Sequence, residues 1–426
     1  MLLKLRKKLS TDLIKVSFLN GISTVIRMIT GLISAKVVAV HILTPGVALL
    51  GQLNNFVLIL QSLSCGGIHN GVTKYIAQNS DDKTEYRKFL STGVRITTII
   101  SSLCGLVLIL GAGYFARTIL KDIQYKAVFY IFGVTIILYA LNALLLSIVN
   151  GFREFKKYVT INITSSIAGF VFAVVLTISF DVFGSLVALV TYQSVVFVIT
   201  LILISRSPWF KWDLFFGKFS KDAAIKLSKY SLMALVSALA IPFSQLTVRN
   251  FLINNSLHEA GLWSGMTNIS NMYLLVITTS LSVYYLPKLS GLKSDNEIRQ
   301  EVGAVYKLLI PFLLIASTLI YLLRRIIISI LFTDEFLPME ELFGFQMIGD
   351  ILKMSTWVLG YILVAKAMAF TYVIVEIISC SLFVMFSWIF INSFGTIGAT
   401  MGYAAAFLCQ LLIMIFIFRK LLFRYE

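Results

Sequence analysis

About twelve apolar stretches, each near 20 residues or longer, recur along the chain with only short polar breaks between them. They fall at about 14–40, 49–77, 89–113, 126–149, 159–180, 184–205, 224–253, 260–287, 303–323, 341–364, 367–391 and 396–418. A membrane-crossing helix needs about 20 mostly apolar residues at a rise of about 1.5 Å each. The breaks are turn or charge clusters: Thr44-Pro45-Gly46, Asp81-Asp82-Lys83, Gly151-Phe152-Arg153, Phe183-Gly184, Asn254-Asn255, Lys293-Ser294-Asp295 and Phe394-Gly395. Only at Lys366 are two stretches joined with almost no loop.

Composition agrees. Hydrophobic residues make up 58% and charged residues 13% of the 426 positions, against roughly a quarter charged in soluble domains. No polar stretch is long enough for a sizeable soluble domain. The formal net charge of +16 does not point to nucleic acid, because no basic, aromatic-interleaved soluble segment is present. The excess lies in short loops. One set of helix ends carries Lys4, Arg6, Lys7, Lys8, Lys83, Arg87, Lys88, Arg153, Lys156, Lys157, Arg206, Lys211, Lys218, Lys221 and others; the opposite set carries only Arg117, Lys121, Lys126, Arg324 and Arg325. The positive-inside rule puts the first set, with both termini, in the cytoplasm. The basic start runs into a long apolar stretch with no small-residue cleavage site, so it is expected to be a retained first helix.

A repeat underlies the pattern. Ile14-Lys15-Val16-Ser17 recurs as Ile225-Lys226-Leu227-Ser228, Phe183-Gly184 as Phe394-Gly395, and Tyr192 as Tyr403, each 211 positions later. Six spans per half start the second half on the same side as the first, which makes the repeats parallel. The expected fold is an all-α polytopic membrane protein with twelve transmembrane helices in two six-helix lobes around a central cleft. The lobes are residues 1–205 and 224–426, joined by a cytoplasmic linker, 206–223.

Charges within the spans mark candidate sites, since a charge at membrane depth costs at least ~2.5–3.5 kcal/mol on insertion scales. Arg27, Lys36, Arg95, Arg249 and Lys353 outnumber the two well-buried acids, Asp350 and Glu376, and the excess suggests a cavity for an anion. Arg27 shares a polar stripe with Asn20, Ser23 and Ser34. Lys36 is half a turn off that stripe, so it either faces the same cavity through a distorted helix or snorkels to the interface. Lys74 and Arg95 lie toward the cytoplasmic side, where snorkelling or a phospholipid headgroup competes with a substrate. Asn55 shares a face with Gln52 and Ser62; Gly66 and Gly67 beside it read as close-packing residues. Arg249 aligns with Ser237 and Gln245, past Pro242. Ser264, Asn268 and Asn271 form a stripe suited either to sugar hydroxyls or to interhelical hydrogen bonds. Gln346, Asp350, Lys353 and Trp357 share one face; Asp350 and Lys353, three apart, either neutralise each other or serve function. Glu376 has no cation on its own helix, with Lys366 its nearest candidate, and is a candidate proton site.

No metal, cofactor or hydrolytic site is expected. His41, His69 and His258 are scattered, Cys65, Cys104, Cys380 and Cys409 lack metal or disulfide spacing, and no ATP-binding signature occurs.

Asn70-Gly71-Val72-Thr73-Lys74-Tyr75-Ile76-Ala77-Gln78, Ser282-Val283-Tyr284-Tyr285-Leu286-Pro287, Gln346-Met347-Ile348-Gly349-Asp350-Ile351-Leu352-Lys353 and Ala365-Lys366-Ala367 resemble the Wzx-type flippases of Gram-negative bacteria. These belong to the multidrug/oligosaccharidyl-lipid/polysaccharide (MOP) exporter superfamily, with its MATE-like two-lobe fold. The resemblance implies an oligosaccharide on undecaprenyl pyrophosphate, an O-antigen or common-antigen unit, moved from the cytoplasmic to the periplasmic leaflet of the inner membrane. It also implies proton or Na+ coupling in place of a cofactor, and neighbouring assembly proteins such as a polymerase and a chain-length regulator. Arg27, Lys36, Lys74, Asp350 and Lys353 fall at positions charged in that family; Asn271 stands where a family member has an acid. Two rivals are a cation-coupled MATE-like drug antiporter, disfavoured by a cation-rich lumen, and a membrane glycan polymerase, disfavoured by the lack of a large outer loop.

Overall fold

The computed structural model describes residues 2–79, 82–292, 294–366 and 368–423. The side chains of residues 1–20 and of Ser237, and the whole of Asp81 and Lys293, lie outside the described residues. Within them the long elements are all α-helices and there is no strand. This is the arrangement lipid demands, because a helix pairs its backbone polar groups within one segment. In chain order they are α1 (Leu2–Ser64), α2 (His69–Gln78), α3 (Lys83–Leu110), α4 (Ala112–Ile119), α5 (Lys126–Gly151), α6 (Phe155–Ile204), α7 (Lys221–Asn255) and α8 (Leu257–Ser280). There follow α9 (Leu286–Gly291), α10 (Asp295–Leu322), α11 (Arg324–Leu331), α12 (Phe343–Ala365), α13 (Ala369–Phe394), α14 (Thr396–Ile417) and α15 (Arg419–Phe423).

Eight helical stretches are long and apolar enough to cross a membrane. Two of them, Gly21–Ser64 and Phe155–Ile204, run 44 and 50 residues, enough for two passes each. Both are broken where expected: α1 at Leu43 (φ 55°), beside Pro45, and α6 at Phe180 and Asp181 (φ 49°). With α7 and α8 the described residues give twelve long helical segments, two per broken helix and one per other long helix.

Two expected spans end sooner than their hydropathy suggests. The second stops at Ser64, and Gly66 and Gly67 take φ +61° and +65° before α2 begins. Glycine enters this left-handed region without steric cost. The pair therefore ends a helix, and Gly66 also packs closely on α3, where an added Cβ would lie 2.9 Å from Cδ1 of Ile100. The eighth span gives way after Ser280 to a π-helical turn, Leu281–Tyr285, and then to the short α9.

The repeat reappears in the caps. α3 is capped by Asp82, whose carboxylate accepts from the Thr84 and Glu85 amides at 2.9 and 3.2 Å. Its counterpart α10 starts on a capping box in which Ser294 accepts from the Glu297 amide while the Glu297 side chain accepts from the Ser294 amide.

The chain divides into two compact units: Met1–His41 with Leu53–Leu239, and Ile42–Gln52 with Ala240–Glu426. The division falls inside α7, near Pro242, whereas the sequence places the joint at 206–223. The reason is local. The 206–223 stretch docks on the first unit: Trp209 stacks on Phe152 at 4.6 Å, Ser207 donates to Glu154 at 2.8 Å, and Ser91 donates to the Lys218 carbonyl at 3.2 Å. The first unit packs around Val72, Ile76, Leu90, Ile148 and Leu227, the second around Leu313, Met354, Val358 and Met414.

Candidate functional site

The densest polar group in the second unit is built on Asp350, which has no exposed surface. An isolated carboxylate there would be costly, and its neighbours answer with hydrogen bonds. Ser270 on α8 donates to it at 2.7 Å and Tyr273, one turn on, at 2.5 Å. Tyr403 on α14 donates at 2.9 Å, and Gln346, one turn before Asp350, at 3.2 Å. Gly349 makes this approach of α14 possible, because a Cβ there would lie 2.6 Å from Cε1 of Tyr403.

Lys353 is one turn further along α12. Among the described residues Asp350 and Lys353 form no direct ion pair, although each charge acts on the other. The Lys353 ammonium instead lies over the rings of Trp357, Tyr403 and Phe407, 5.6, 5.7 and 5.8 Å from their centroids. Aromatic faces attract a cation but accept none of its three N–H donors in the way an oxygen does.

These side chains border a cavity of about 200 Å3, lined also by Asn271, Gln245, Glu376 and Gln410. Glu376, on α13, lines this cavity and an adjoining one with Trp357 and Gln410. Its electrostatic partner is Lys353. Lys366 is engaged elsewhere, donating to the Leu292 carbonyl at 2.7 Å. Three sequence candidates, Asn271, Lys353 and Glu376, thus meet at one cavity. Asp350 stands behind it, and Asn268 is exposed on α8 outside its lining.

Arg249 is 4% exposed and lies away from this cavity. Its guanidinium donates to the Gly51 carbonyl at 2.8 Å and to Ser264 at 3.0 Å, and lies 4.9 Å from the Trp263 ring centroid. Among the described residues no carboxylate pairs with it, and the ion is held by a carbonyl, a hydroxyl and an aromatic face. Nearby, Thr44 donates to Glu335 at 2.5 Å and is paired with His258 at 2.6 Å.

In the first unit Arg27 is exposed and makes no ion pair among the described residues; its charge acts on Tyr192 of α6. Lys36 is half-buried, Lys74 is exposed with its ammonium 5.6 Å from the Tyr75 ring centroid, and Arg95 is exposed on α3. Asn55 is 2% exposed, and its Nδ2 has no partner among the described residues.

Ser270, Tyr273 and Phe407 escape sequence reasoning. A hydroxyl or ring within an apolar stretch looks like packing until a distant carboxylate or ammonium is placed beside it. One signal was present: Tyr403 is the repeat partner of Tyr192, a polar ring kept at one register in both halves.

Residues 53–341 match the family described as "Polysaccharide biosynthesis protein". Over 399 residues the chain is 30% identical to proteins named lipid III flippase from Escherichia coli (strain K12) and Shigella flexneri, covering 93% of this chain and 96% of each relative. In fold it is similar to the inward-facing conformation of a multidrug resistance MATE family transporter of the MOP superfamily. That likeness has a TM-score of 0.80 at 13% identity, over 93% of this chain and 98% of the other.

Proposed function

We infer that this chain, which belongs to the polysaccharide biosynthesis protein family, is a lipid-linked oligosaccharide flippase. It is a multi-pass membrane transporter and not an enzyme. The observation that carries this reading is the 30% identity to lipid III flippases, which runs through 93% of the chain.

The cargo we propose is an O-antigen or common-antigen unit on undecaprenyl pyrophosphate, moved from the cytoplasmic to the periplasmic leaflet of the bacterial inner membrane by alternating access. Both termini then lie in the cytoplasm, as the loop charges require. The pyrophosphate carries about two negative charges, and in a low-dielectric setting a guanidinium offsets their desolvation with paired hydrogen bonds. Arg27, exposed and without an ion pair among the described residues, is the residue proposed to meet it, with Lys36, Lys74 and Arg95 as further cations of the same unit. Proton or Na+ coupling is assigned to Glu376, the carboxyl lining the cavity, with Asp350 positioning the groups around it. A polymerase and a chain-length regulator are the proposed neighbours that consume the product.

The multidrug reading has the fold behind it, but a fixed ammonium in the cavity repels a cationic drug. The test is complementation of defined flippase deletions, scored by which surface polysaccharide returns. Recovery of a lipid-linked glycan on the surface supports the reading. Drug resistance without any recovered polysaccharide overturns it.

A further inference from the structure

We propose that the linker between α6 and α7, residues 205–220, is an interfacial anchor of the first unit that seats on the anionic phospholipid headgroups of the leaflet it faces. The anchor is separate from the transported cargo, and it rests on the flippase reading only in naming that leaflet the cytoplasmic one.

Depth is the first support. The apolar run of α3 begins near residue 89, and the linker is pinned there. Ser91 donates to the Lys218 carbonyl at 3.2 Å, and the Thr92 hydroxyl accepts from the Ser220 amide at 3.1 Å. A Cβ on Gly217 would lie 3.0 Å from the Ser91 hydroxyl, so the backbone here runs directly against α3. Ser91 lies eight residues after Lys83, the first residue of α3, which is about 12 Å along a helix. The linker is thus held where the polar start of a span gives way to its apolar part, the level of lipid headgroups and not of bulk water.

The exposed rings are the second. Phe215 is buried and Trp209 and Phe210 pack on the core of the unit. Trp212, Phe216 and Phe219 remain outside, 60%, 76% and 45% exposed. In water such a cluster is a liability. At headgroup level it is stabilising, because an indole keeps its ring in lipid and its N–H among polar groups.

Charge decides the partner. Asp213 in the linker faces Arg87 at 3.9 Å, Asp222 at the start of α7 pairs with Lys226 at 2.7 Å, and Glu154, which accepts from Ser207, pairs with Lys157 at 3.2 Å. These acids are taken. Arg206, Lys211, Lys218 and Lys221 are exposed and form no ion pair among the described residues. Cations interleaved with exposed rings complement an anionic bilayer surface, at which each Lys or Arg adds roughly fivefold to binding.

The test places the full-length protein in nanodiscs of equal phosphatidylglycerol and phosphatidylcholine. Bromine near the headgroup end of the acyl chains is carried by one lipid or by the other. The Trp212 signal is the difference in fluorescence between the wild-type protein and Trp212→Phe, which keeps a ring. Brominated phosphatidylglycerol is expected to quench it as if enriched roughly fivefold or more over phosphatidylcholine, while acrylamide in the water leaves it unquenched. Lys211→Gln/Lys218→Gln/Lys221→Gln loses the enrichment, and the same triple change to Arg keeps it. If the Gln variant does not fold, salt decides: at about 1 M the Debye length falls to about 3 Å, and the enrichment is expected to fall with it. Equal quenching by the two lipids overturns the proposal. So does quenching by acrylamide and by neither lipid, the result for a surface that awaits a soluble protein. No transport is measured, so either failure leaves the flippase reading to the complementation result.

Discussion

The Tyr403 side chain does two things at once. Its hydroxyl donates to the Asp350 carboxylate at 2.9 Å, and its ring lies under the Lys353 ammonium, 5.7 Å from centroid to nitrogen. One tyrosine thus satisfies an acid with its edge and a base with its face.

The two functions of Tyr403 separate by substitution. Tyr403→Phe keeps the face and removes one of the donors to a buried carboxylate, a loss of about 1.5–3 kcal/mol for a hydrogen bond to a charged group. A lower melting temperature in detergent is the expected outcome. Tyr403→Leu removes the face as well and is expected to lower the melting temperature further.

Asp350→Ala leaves the hydroxyls of Ser270, Tyr273 and Tyr403 without their acceptor. Each buried polar group left unmatched costs ~1–3 kcal/mol. The protein is expected to be lost from the membrane fraction, as seen by immunoblot, and not merely to be inactive.

Arg27 and Arg249 should part company. Arg27→Ala is expected to abolish surface antigen at normal membrane levels of the protein, because Arg27 is exposed and unpaired among the described residues. Full antigen display by Arg27→Ala would end the anion role of this residue. Arg249→Lys is expected to lower protein level and antigen together, since an ammonium cannot reproduce the fork that spans Gly51 and Ser264.

Gly349→Ala places a methyl group against the Tyr403 ring, where 2.6 Å separates the added carbon from Cε1. Overpacking of this kind costs about 1–3 kcal/mol. It also moves the ring off Lys353, so the melting temperature in detergent is expected to fall.

Glu376→Gln tests coupling. Lipid-linked sugar transport in vesicles is measured with and without a pH gradient, and the expected result is that the gradient no longer accelerates transport. An unchanged response removes Glu376 as a necessary coupling group.

Much of this was legible in the sequence because hydropathy and repetition are averaged over many residues. The breaks at Leu43 and Asp181 and the start of α10 at Asp295 follow from Thr44-Pro45-Gly46, from the end of an apolar stretch and from Lys293-Ser294-Asp295. What was hidden depends on partners far along the chain. Periodicity places Asp350 and Lys353 on one face, but it cannot tell that Tyr273 and Tyr403 satisfy the acid and leave the base to aromatic rings. Nor can it assign Glu376 to Lys353 over Lys366, because that choice is made by the packing of α12 against its neighbours. Gly66 and Gly67 show the same limit at short range: composition alone does not separate a glycine that lets helices touch from one that ends a helix.

The short segment Ile42–Gln52 belongs to the second unit although it lies in the first helix of the chain. Its partners come late: Gly51 bonds Arg249 across 198 positions, and Thr44 bonds His258 and Glu335 across 214 and 291. At a synthesis rate of roughly 5–20 residues per second, this segment leaves the ribosome on the order of ten seconds to a minute before its partners exist. During that interval its bare polar groups and the bend at Leu43 have nothing to hold them. A membrane insertase or chaperone that shelters early segments would therefore be needed at this point of the chain, and a nascent protein stalled before residue 249 should be among the first to be degraded.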